Sequence, residues 1–266
     1  MPPTRTLFGL EIAPLTMAQV LARCHTALVT RQPLLIGVVN AAKIVNLRQD
    51  SVLRDSLLEC GVIVADGQSV VWASRLLGRP LPERVAGIDL FEALLAVADH
   101  DARSVYLLGA KPEVLQRLRS NLAVRFPSMR IAGAHDGYFA DHEGAAVADD
   151  IRRSGADMLF LGITSPKKET FLGDYGRDLR VPVLHGVGGS FDILAGVTKR
   201  APVRWQRMGL EWAYRLLQEP RRMWRRYLRT NTAFLGLVVR ERFRPTPAFS
   251  RAVVTTSPLP TIGRSS

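Results

Sequence analysis

Asp66 is the residue of this sequence best placed to act as an acid or a base. It directly follows the apolar segment 62–65 and precedes Gly67, so the sequence predicts that it lies where a buried strand ends. A carboxylate in that position can accept the proton of an attacking hydroxyl group. Aspartate is also favoured as the N-cap of a helix, here one starting near Gln68. The two roles are compatible, and both remain open at this point.

Two further polar residues have similar alternatives. Asn40 ends an apolar segment, and its amide would either bind a ligand oxygen or cap a helix beginning at Ala41. Arg84 precedes a predicted helix whose first turn contains Asp89. Its guanidinium would either grip a diphosphate through two hydrogen bonds or pair with Glu83 or Asp89.

Common nucleotide and metal motifs are weak in this chain. Residues 186–189, Gly-Val-Gly-Gly, resemble the start of a dinucleotide fingerprint but lack its third glycine and a partner acid. The Asp-His-Asp at 99–101 resembles a metal-holding pattern of sugar transferases, but it precedes a predicted strand and therefore lies away from the expected ligand cleft. None of the five histidines clusters at a metal-like spacing. We therefore predict neither a metal nor a cofactor.

The elements that position these residues follow from the hydrophobic pattern. Short apolar segments ending in Gly, Asn, Asp or Thr alternate with longer amphipathic ones. The predicted strands are residues 34–39, 62–65, 105–108, 158–163 and 181–187, and helices are predicted, among others, at 87–99, 112–125 and 141–153. This alternation predicts an α/β fold with a mostly parallel, Rossmann-like sheet and helices on both faces. Ligands bind such sheets outside the carboxyl ends of the strands, where Asn40 and Asp66 would lie.

Positive charge is concentrated in the last quarter of the chain. Residues 1–198 contain 21 Lys+Arg and 21 Asp+Glu, whereas residues 199–244 contain 13 and 3. A neutral body with a cationic, Trp-rich end favours contact with an anionic surface or ligand over nucleic acid. On a helical wheel, one arc holds Met223, Trp224, Tyr227 and Leu228, and the opposite arc holds Arg221, Arg222, Arg225, Arg226 and Arg229. The pattern suits a helix lying on an anionic membrane, or a terminal helix packing its apolar stripe on its own core.

Length and composition indicate a globular protein with one large domain. The chain has 266 residues, 47% of them hydrophobic and 23% charged. We predict an α/β catalytic domain at 1–200, a basic amphipathic helical appendage at 201–244, and a disordered Pro/Ser/Thr-rich tail at 245–266. The only cysteines, Cys24 and Cys60, imply no disulfide framework and fit a reducing cytoplasm. No signal peptide is evident, and the apolar run 233–239 is too short to span a bilayer, so any membrane contact is predicted to be peripheral.

Taken together, the sequence resembles the TagA/WecG/CpsF family, glycosyltransferase family 26, in order along residues 7–243. The matching segments include Val39-Asn40, Ala65-Asp66-Gly67, residues 84–89, 106–109, 137–139, 161–169, 186–192, 200–202, 209–212, 215–216, 219–222 and 226–228.

This resemblance implies a metal-independent, inverting transferase that uses a UDP-sugar. The implied acceptor is a sugar on a polyprenyl diphosphate, at the cytoplasmic face of the membrane, and a homo-oligomer is compatible with it. It implies that Asp66 is the general base, that Asn40 positions the donor sugar or the acceptor, and that Arg84 clamps a diphosphate. Further implied roles are donor binding by Gly109, Tyr138, Lys168, Gly188 and Asp192, and contact with the lipid or its diphosphate by Arg215, Arg222 and Arg225.

Two departures from the family pattern concern the donor pocket. Lys168 stands where a Gln is usual, and Val38 stands where a Thr is common. The donor sugar is therefore left open between N-acetylmannosamine, its uronate and a neutral hexose such as glucose. The residues by themselves also permit an NAD- or nucleotide-binding oxidoreductase, from the α/β alternation, or a nonenzymatic membrane-binding module, from the basic end.

Overall fold

The computed structural model describes residues 3–218 and 220–250. Its strands are β1 (Arg5–Leu7), β2 (Leu10–Ile12), β3 (Leu34–Val39), β4 (Val62–Ala65), β5 (Ser104–Gly109), β6 (Arg130–His135), β7 (Met158–Gly162) and β8 (Val183–Gly186). Its helices are α1 (Met17–Thr30), α2 (Ala41–Asn46), α3 (Ser51–Leu58), α4 (Gln68–Leu76), α5 (Gly87–His100), α6 (Pro112–Arg125), α7 (Gly144–Ser154), α8 (Lys167–Tyr175), α9 (Ser190–Leu194), α10 (Val203–Arg207), α11 (Glu211–Gln218) and α12 (Pro220–Phe243), with a 3₁₀ turn at Asp141–Glu143.

Six strands form one parallel sheet in the order β4-β3-β8-β7-β5-β6. This confirms the predicted α/β class and the parallel sheet. The strands read as nearly continuous apolar runs because helices cover both faces of the sheet. The hydrophobic pattern located five of these strands, whereas β6 was missed because its side chains are only partly buried.

The two faces of the sheet carry separate apolar layers. Helices α1, α5, α6 and α9 cover one face, and α2, α3, α4, α7, α8 and α12 contribute to the layers on the other. Successive strand residues alternate between the faces, so Val183 of β8 packs with the first layer and Leu184 with the second. Because all six strands are parallel, their carboxyl ends lie at the same edge of the sheet.

The second half of α12 belongs to the body of the protein. Phe234 and Val238 are buried one helical turn apart, and the Phe234 ring lies 5.4 Å, centroid to centroid, from that of Phe8 in the β1–β2 hairpin. Glu241 is also buried, and it accepts hydrogen bonds from the Phe8 amide (3.3 Å) and from Arg79 (3.4 Å). The second half of the helix thus packs on the core of the protein, through residues that lie outside the apolar stripe predicted from the sequence.

The segment predicted as a disordered tail begins with residues attached to that core. Thr246 donates from its amide and its hydroxyl to Glu241 Oε2, at 3.0 and 2.6 Å. The amide of Phe249 donates to the Gly9 carbonyl at 2.8 Å. Residues 245–250 therefore lie against the β1–β2 hairpin, and the rest of the predicted tail, 251–266, lies outside the described residues.

The first half of α12 has a different environment. Trp224 and Leu228 are exposed, as are Arg221, Arg225 and Arg229 on the same helix. Among the described helices, none combines the length and the apolar character that crossing a bilayer requires. The predicted appendage, 201–244, thus includes an exposed basic part and a packed part that begins near Thr230.

We predict that Phe234→Ala lowers the free energy of unfolding by about 3 to 5 kcal/mol, because it leaves a cavity against Phe8. The neighbouring Leu235 is 64% exposed, so Leu235→Ala is the matched control and should change stability by about 0.5 kcal/mol or less. Urea unfolding followed by circular dichroism measures both. Equal effects at the two positions would show that α12 does not pack through Phe234.

Candidate active site

Asn40 and Asp66 meet at the carboxyl edge of the sheet. They follow Val39 and Ala65, which are paired in the parallel register of β3 and β4. The Asn40 side chain donates from Nδ2 to Asp66 Oδ2 at 3.4 Å. Both residues are half-buried, so their polar groups are fixed by the protein while a ligand can still approach.

Asn40 performs the predicted capping role through its amide oxygen alone. Its Oδ1 accepts the Lys43 amide at 3.1 Å and caps α2. Because the cap uses only the amide oxygen, the nitrogen of the same side chain is left to bind Asp66. The two alternatives predicted for Asn40 therefore do not exclude each other.

Asp66 binds a different helix from the one predicted. Helix α4 has Gly67 as its N-cap and no side-chain capping bond, so the expected capping of α4 by Asp66 is wrong. Instead, Oδ1 accepts the amide of Gly87, the first residue of α5, at 2.8 Å. The amide donor and the positive end of the helix both favour the negatively charged carboxylate. The carboxylate is thus held from two sides, by α2 through Asn40 and by α5 through Gly87.

Arg84 lies in an ion-pair network that joins α5 to α11. Its Nη1 is 2.6 Å from Glu211 Oε2, and its Nη2 is 3.6 Å from Asp89 Oδ2. Arg200 pairs with the same two carboxylates, at 2.6 Å to Asp89 and 3.3 Å to Glu211. The predicted pairing with Asp89 is confirmed, whereas the shorter contact to Glu211 was not predicted. A diphosphate bound by Arg84 would have to replace or share the Glu211 contact.

A second group of predicted residues lies at the ends of β5 and β7. Gly109 has a φ of 139°, and a Cβ on it would lie 2.3 Å from the carbonyl carbon of Gly162. Only glycine permits this backbone approach. The Gly137 amide donates to the Ala110 carbonyl at 2.9 Å, which brings the neighbouring Tyr138 to the same edge. The Tyr138 side chain is 70% exposed, so its ring is accessible to a ligand.

Lys167 fixes the backbone on both sides of Tyr138, and the sequence analysis gave it no role. Its ammonium donates to the carbonyls of Gly137 (3.1 Å) and Phe139, and it lies 3.7 Å from the centroid of the Phe139 ring. Such a contact combines hydrogen bonding with a cation–π attraction. The sequence feature that could have identified Lys167 was its position inside the family-matching segment 161–169.

Lys168, predicted to bind the donor, lies beside the central strands in a pocket between β3, α3 and α8. It shares this pocket with Lys43, Cys60 and Glu169, and its Nζ is 2.5 Å from Glu169 Oε1. Burial alone would raise the pKa of Glu169, but the attraction and hydrogen bond of Lys168 hold this pKa below its usual value. Burial lowers the pKa of Lys43, and repulsion by Lys168 adds to this effect.

Gly188 and Asp192 lie at the turn from β8 into α9. Gly188 has a φ of 53°, in the left-handed region that favours glycine. Asp192 is half-buried on α9, and its carbonyl accepts the amides of Val197 and Thr198 at 2.9 and 3.1 Å. In this sheet β7 connects to β8 on one side, whereas its neighbour β5 connects to β6 on the other side. The crevice between β7 and β5, which end in Gly162 and Gly109, is thus a topological switch point, where ligands of open α/β sheets bind.

The predicted lipid-proximal arginines are described only in part. Arg225 is exposed, and its guanidinium lies 5.3 Å from the Trp224 ring centroid. The side chains of Arg215 and Arg222 lie outside the described part of the structure. Within residues 3–218 and 220–250, no cluster of three or more His, Cys, Asp or Glu side chains is arranged to hold a metal ion.

Residues 5–248 match the family model described as "Glycosyl transferase WecG/TagA/CpsF family". The chain belongs to this family. Two relatives are similar to it, both named N-acetylglucosaminyldiphosphoundecaprenol N-acetyl-beta-D-mannosaminyltransferase. The protein of Bacillus spizizenii is 39% identical over 191 residues, 72% of this chain and 73% of the relative. That of Bacillus subtilis is 38% identical over 192 residues, 72% and 74% of the two chains. These matches confirm the predicted family and identify the chain as a glycosyltransferase.

His185 is a buried neighbour of the candidate site that the sequence analysis did not single out. It lies on β8 with no exposed surface, and its Nε2 is 3.0 Å from the Gly87 carbonyl oxygen. Burial lowers the pKa of His185 to about 4, although the bond to Gly87 and the charge of Asp66 oppose this shift. The imidazole is therefore neutral at pH 7, and Nε2 carries its proton because a carbonyl can only accept.

This depressed pKa predicts a pH dependence of stability. Between pH 6.5 and about pH 4 the unfolded chain binds a proton at His185 that the folded protein does not, so stability falls as the pH is lowered through this window. From pH 7 to pH 5 the contribution of His185 is about 2 kcal/mol. Urea unfolding at both pH values should show a smaller difference for His185→Gln than for the wild type. The exposed His142→Gln is the control, and an unchanged difference in His185→Gln would contradict the prediction.

Proposed function

We propose that this transferase moves a hexose from a UDP-sugar to a sugar carried by a polyprenyl diphosphate, with inversion and without a metal ion. The names of both Bacillus relatives support the acceptor class, because they specify a diphosphoundecaprenol-linked sugar. The observation that carries the proposal is the Asp66 carboxylate, held at the carboxyl edge of the sheet by Gly87 and Asn40.

Asp66 acts as the general base of a single displacement. The acceptor hydroxyl gives its proton to Asp66 while its oxygen forms a bond to the anomeric carbon of the donor. The bond between that carbon and the UDP oxygen breaks, and UDP leaves with the electron pair. Attack opposite to the leaving group inverts an α-linked donor to a β product. The relatives are named as β-mannosaminyl transferases, which supports inversion.

Guanidinium groups stabilise the negative charge that develops on UDP. Arg84 precedes Gly87, whose amide holds Asp66, by three residues in the sequence. Its side chain is mostly buried. In a site of reduced dielectric, fixed cations of this kind stabilise a leaving diphosphate strongly. UDP replaces Glu211 at Arg84 when it binds, so donor binding is coupled to the position of α11.

The nucleotide and donor sugar lie along the carboxyl ends of β5, β7 and β8. Gly109 and Gly188 let the donor approach the backbone, Tyr138 offers an exposed ring, and Asp192 supplies a carboxylate that can accept the imide proton of uracil. Lys168 lies beside Gly186 at the end of β8. Its Cδ is 3.1 Å from the position that a Cβ on Gly186 would occupy. N-acetylmannosamine is the donor that the relatives' names favour, and its uronate and glucose are the competing donors.

The acceptor reaches this site at the inner face of the cytoplasmic membrane. The first half of α12 presents Trp224 and Leu228 beside Arg221, Arg225 and Arg229, all exposed. Aromatic and arginine side chains together suit the interface of an anionic membrane. A peripheral contact through this helix would bring the open edge of the sheet close to a lipid-linked sugar.

We predict that Asp66→Asn lowers kcat by about a hundredfold or more, because the amide cannot take the proton, while UDP still binds. Mass spectrometry of the products should be used with UDP-N-acetylmannosamine, its uronate and UDP-glucose as donors. The acceptors are N-acetylglucosamine and glucose, each linked to a polyprenyl diphosphate. Thermal-shift titration with UDP measures binding separately.

Asp101→Asn is the matched control for this change. Asp101 is exposed and precedes β5 at the opposite edge of the sheet, so this variant should transfer at the wild-type rate. Full turnover by Asp66→Asn would exclude Asp66 as the base. Loss of turnover when EDTA is added to the wild type would exclude a metal-independent reaction.

We predict that replacing Arg221, Arg225 and Arg229 together by Gln weakens binding to phosphatidylglycerol vesicles by about a hundredfold. The expectation follows from about 1 kcal/mol per basic residue at an anionic surface. The matched control replaces the exposed Arg117, Arg119 and Arg153 of α6 and α7, which gives the same change of net charge. Co-sedimentation with vesicles measures both, and equal losses would show that α12 is not the membrane contact.

A further inference from the structure

His185 occupies an unusual position for a polar side chain. It lies in β8 between Val183 and Val187, whose side chains belong to the apolar layer beneath α1, α5 and α6. Burying an imidazole in such a layer is unfavourable unless its polar atoms are hydrogen-bonded. The Nε2 atom of this ring lies 3.0 Å from the Gly87 carbonyl oxygen, and the backbone of Ile36 on β3 also acts on the ring.

Gly87 links His185 to the proposed base. Its carbonyl accepts from His185, and its amide donates to Asp66 Oδ1 at 2.8 Å. The three residues also meet in space: a Cβ placed on Gly87 would lie 3.9 Å from both Asp66 Oδ1 and His185 Cε1. A displacement of Gly87 would therefore change both contacts together.

The start of α5 lacks the usual local means of fixing its position. Its N-cap is Ala86, which makes no side-chain capping bond, although the first amides of a helix need acceptors from outside the helix. Asp66 supplies an acceptor for the first of these amides. The donor that binds the same turn from the sheet is His185, on a strand two places away from β4.

We propose that His185 is a positioning residue for the general base. By binding the Gly87 carbonyl, it fixes the first turn of α5 so that the Gly87 amide stays directed at Asp66 Oδ1. This inference rests on the function proposed above, in which Asp66 takes the acceptor proton. The charged groups that act on the ring are Lys43 of α2 and Asp66 itself, and the neutral ring keeps its Nε2 proton for Gly87.

The test compares His185→Leu, which removes the donor, with His185→Gln, whose amide nitrogen can take the place of Nε2. Val183→Ala is the control, since it perturbs the same face of the same strand two residues away without touching Gly87. Steady-state transfer from UDP-N-acetylmannosamine gives kcat and the donor KM. If that sugar is not transferred, the UDP-sugar that the donor panel identifies is used. Hydrogen exchange at the Gly87 amide reports the contact without any substrate.

We expect His185→Leu to lower kcat roughly tenfold or more, because misplacing a reacting group is costly, with the donor KM nearly unchanged. The Gly87 amide should exchange faster than in the wild type. His185→Gln should restore kcat and the exchange rate of the Gly87 amide, and Val183→Ala should change neither of them even where it lowers stability.

A wild-type kcat and wild-type Gly87 exchange in His185→Leu would overturn the proposal, as would failure of Gln to restore them. If His185→Leu does not fold, His185→Asn replaces it, because its shorter side chain does not reach Gly87. Asp66→Asn separates the two hypotheses. Full turnover by that variant would reject Asp66 as the base, whereas loss of turnover in Asp66→Asn with no effect at His185 would reject only the positioning role.

Discussion

The hydrogen bond from the Gly87 amide to Asp66 is the contact on which the arrangement of the site depends. It joins the carboxyl end of β4 to the amino end of α5, two elements that meet only because the sheet is parallel and α5 crosses it. Asn40 holds the other carboxylate oxygen from the end of β3. These two contacts fix the orientation of the carboxylate, and its oxygens keep further lone pairs that can accept a hydrogen bond.

Opposite charges are paired closely on the α5 side of this edge. On the α5 side, Arg84 and Arg200 face the carboxylates of Asp89 and Glu211, with Glu92 3.8 Å from Arg200. These carboxylates keep the two mostly buried arginines from being unpaired, which would be costly. Because Glu211 belongs to α11, the same contacts also attach the C-terminal region to the edge of the parallel sheet.

The C-terminal region combines anchoring and exposure in one helix. From Thr230 onward, α12 is held by the contact of Phe234 with Phe8 and by the hydrogen bonds of Glu241. Before that point Trp224 and the described arginines Arg221, Arg225 and Arg229 are exposed. A firmly packed second half gives the first half a fixed direction relative to the sheet, which a flexibly attached appendage would not have.

The sequence by itself determined the α/β class, most strands, and the positions of Asn40 and Asp66 at strand ends. These features depend on side-chain periodicity and on residues adjacent in the chain, which a single sequence displays directly. The sequence was also sufficient to recognise the family, because the matching segments occur in order along the chain.

Only the tertiary structure decided which partners these residues have. Asp66 binds Gly87 across 21 residues, His185 reaches the same glycine across 98, and Arg84 meets Glu211 across 127. Such contacts depend on strand order and on the faces chosen by the crossover helices, and neither leaves a periodic signal. For the same reason the packed half of α12 could not be separated from its exposed half, because an apolar stripe reads alike whether a core or a membrane covers it.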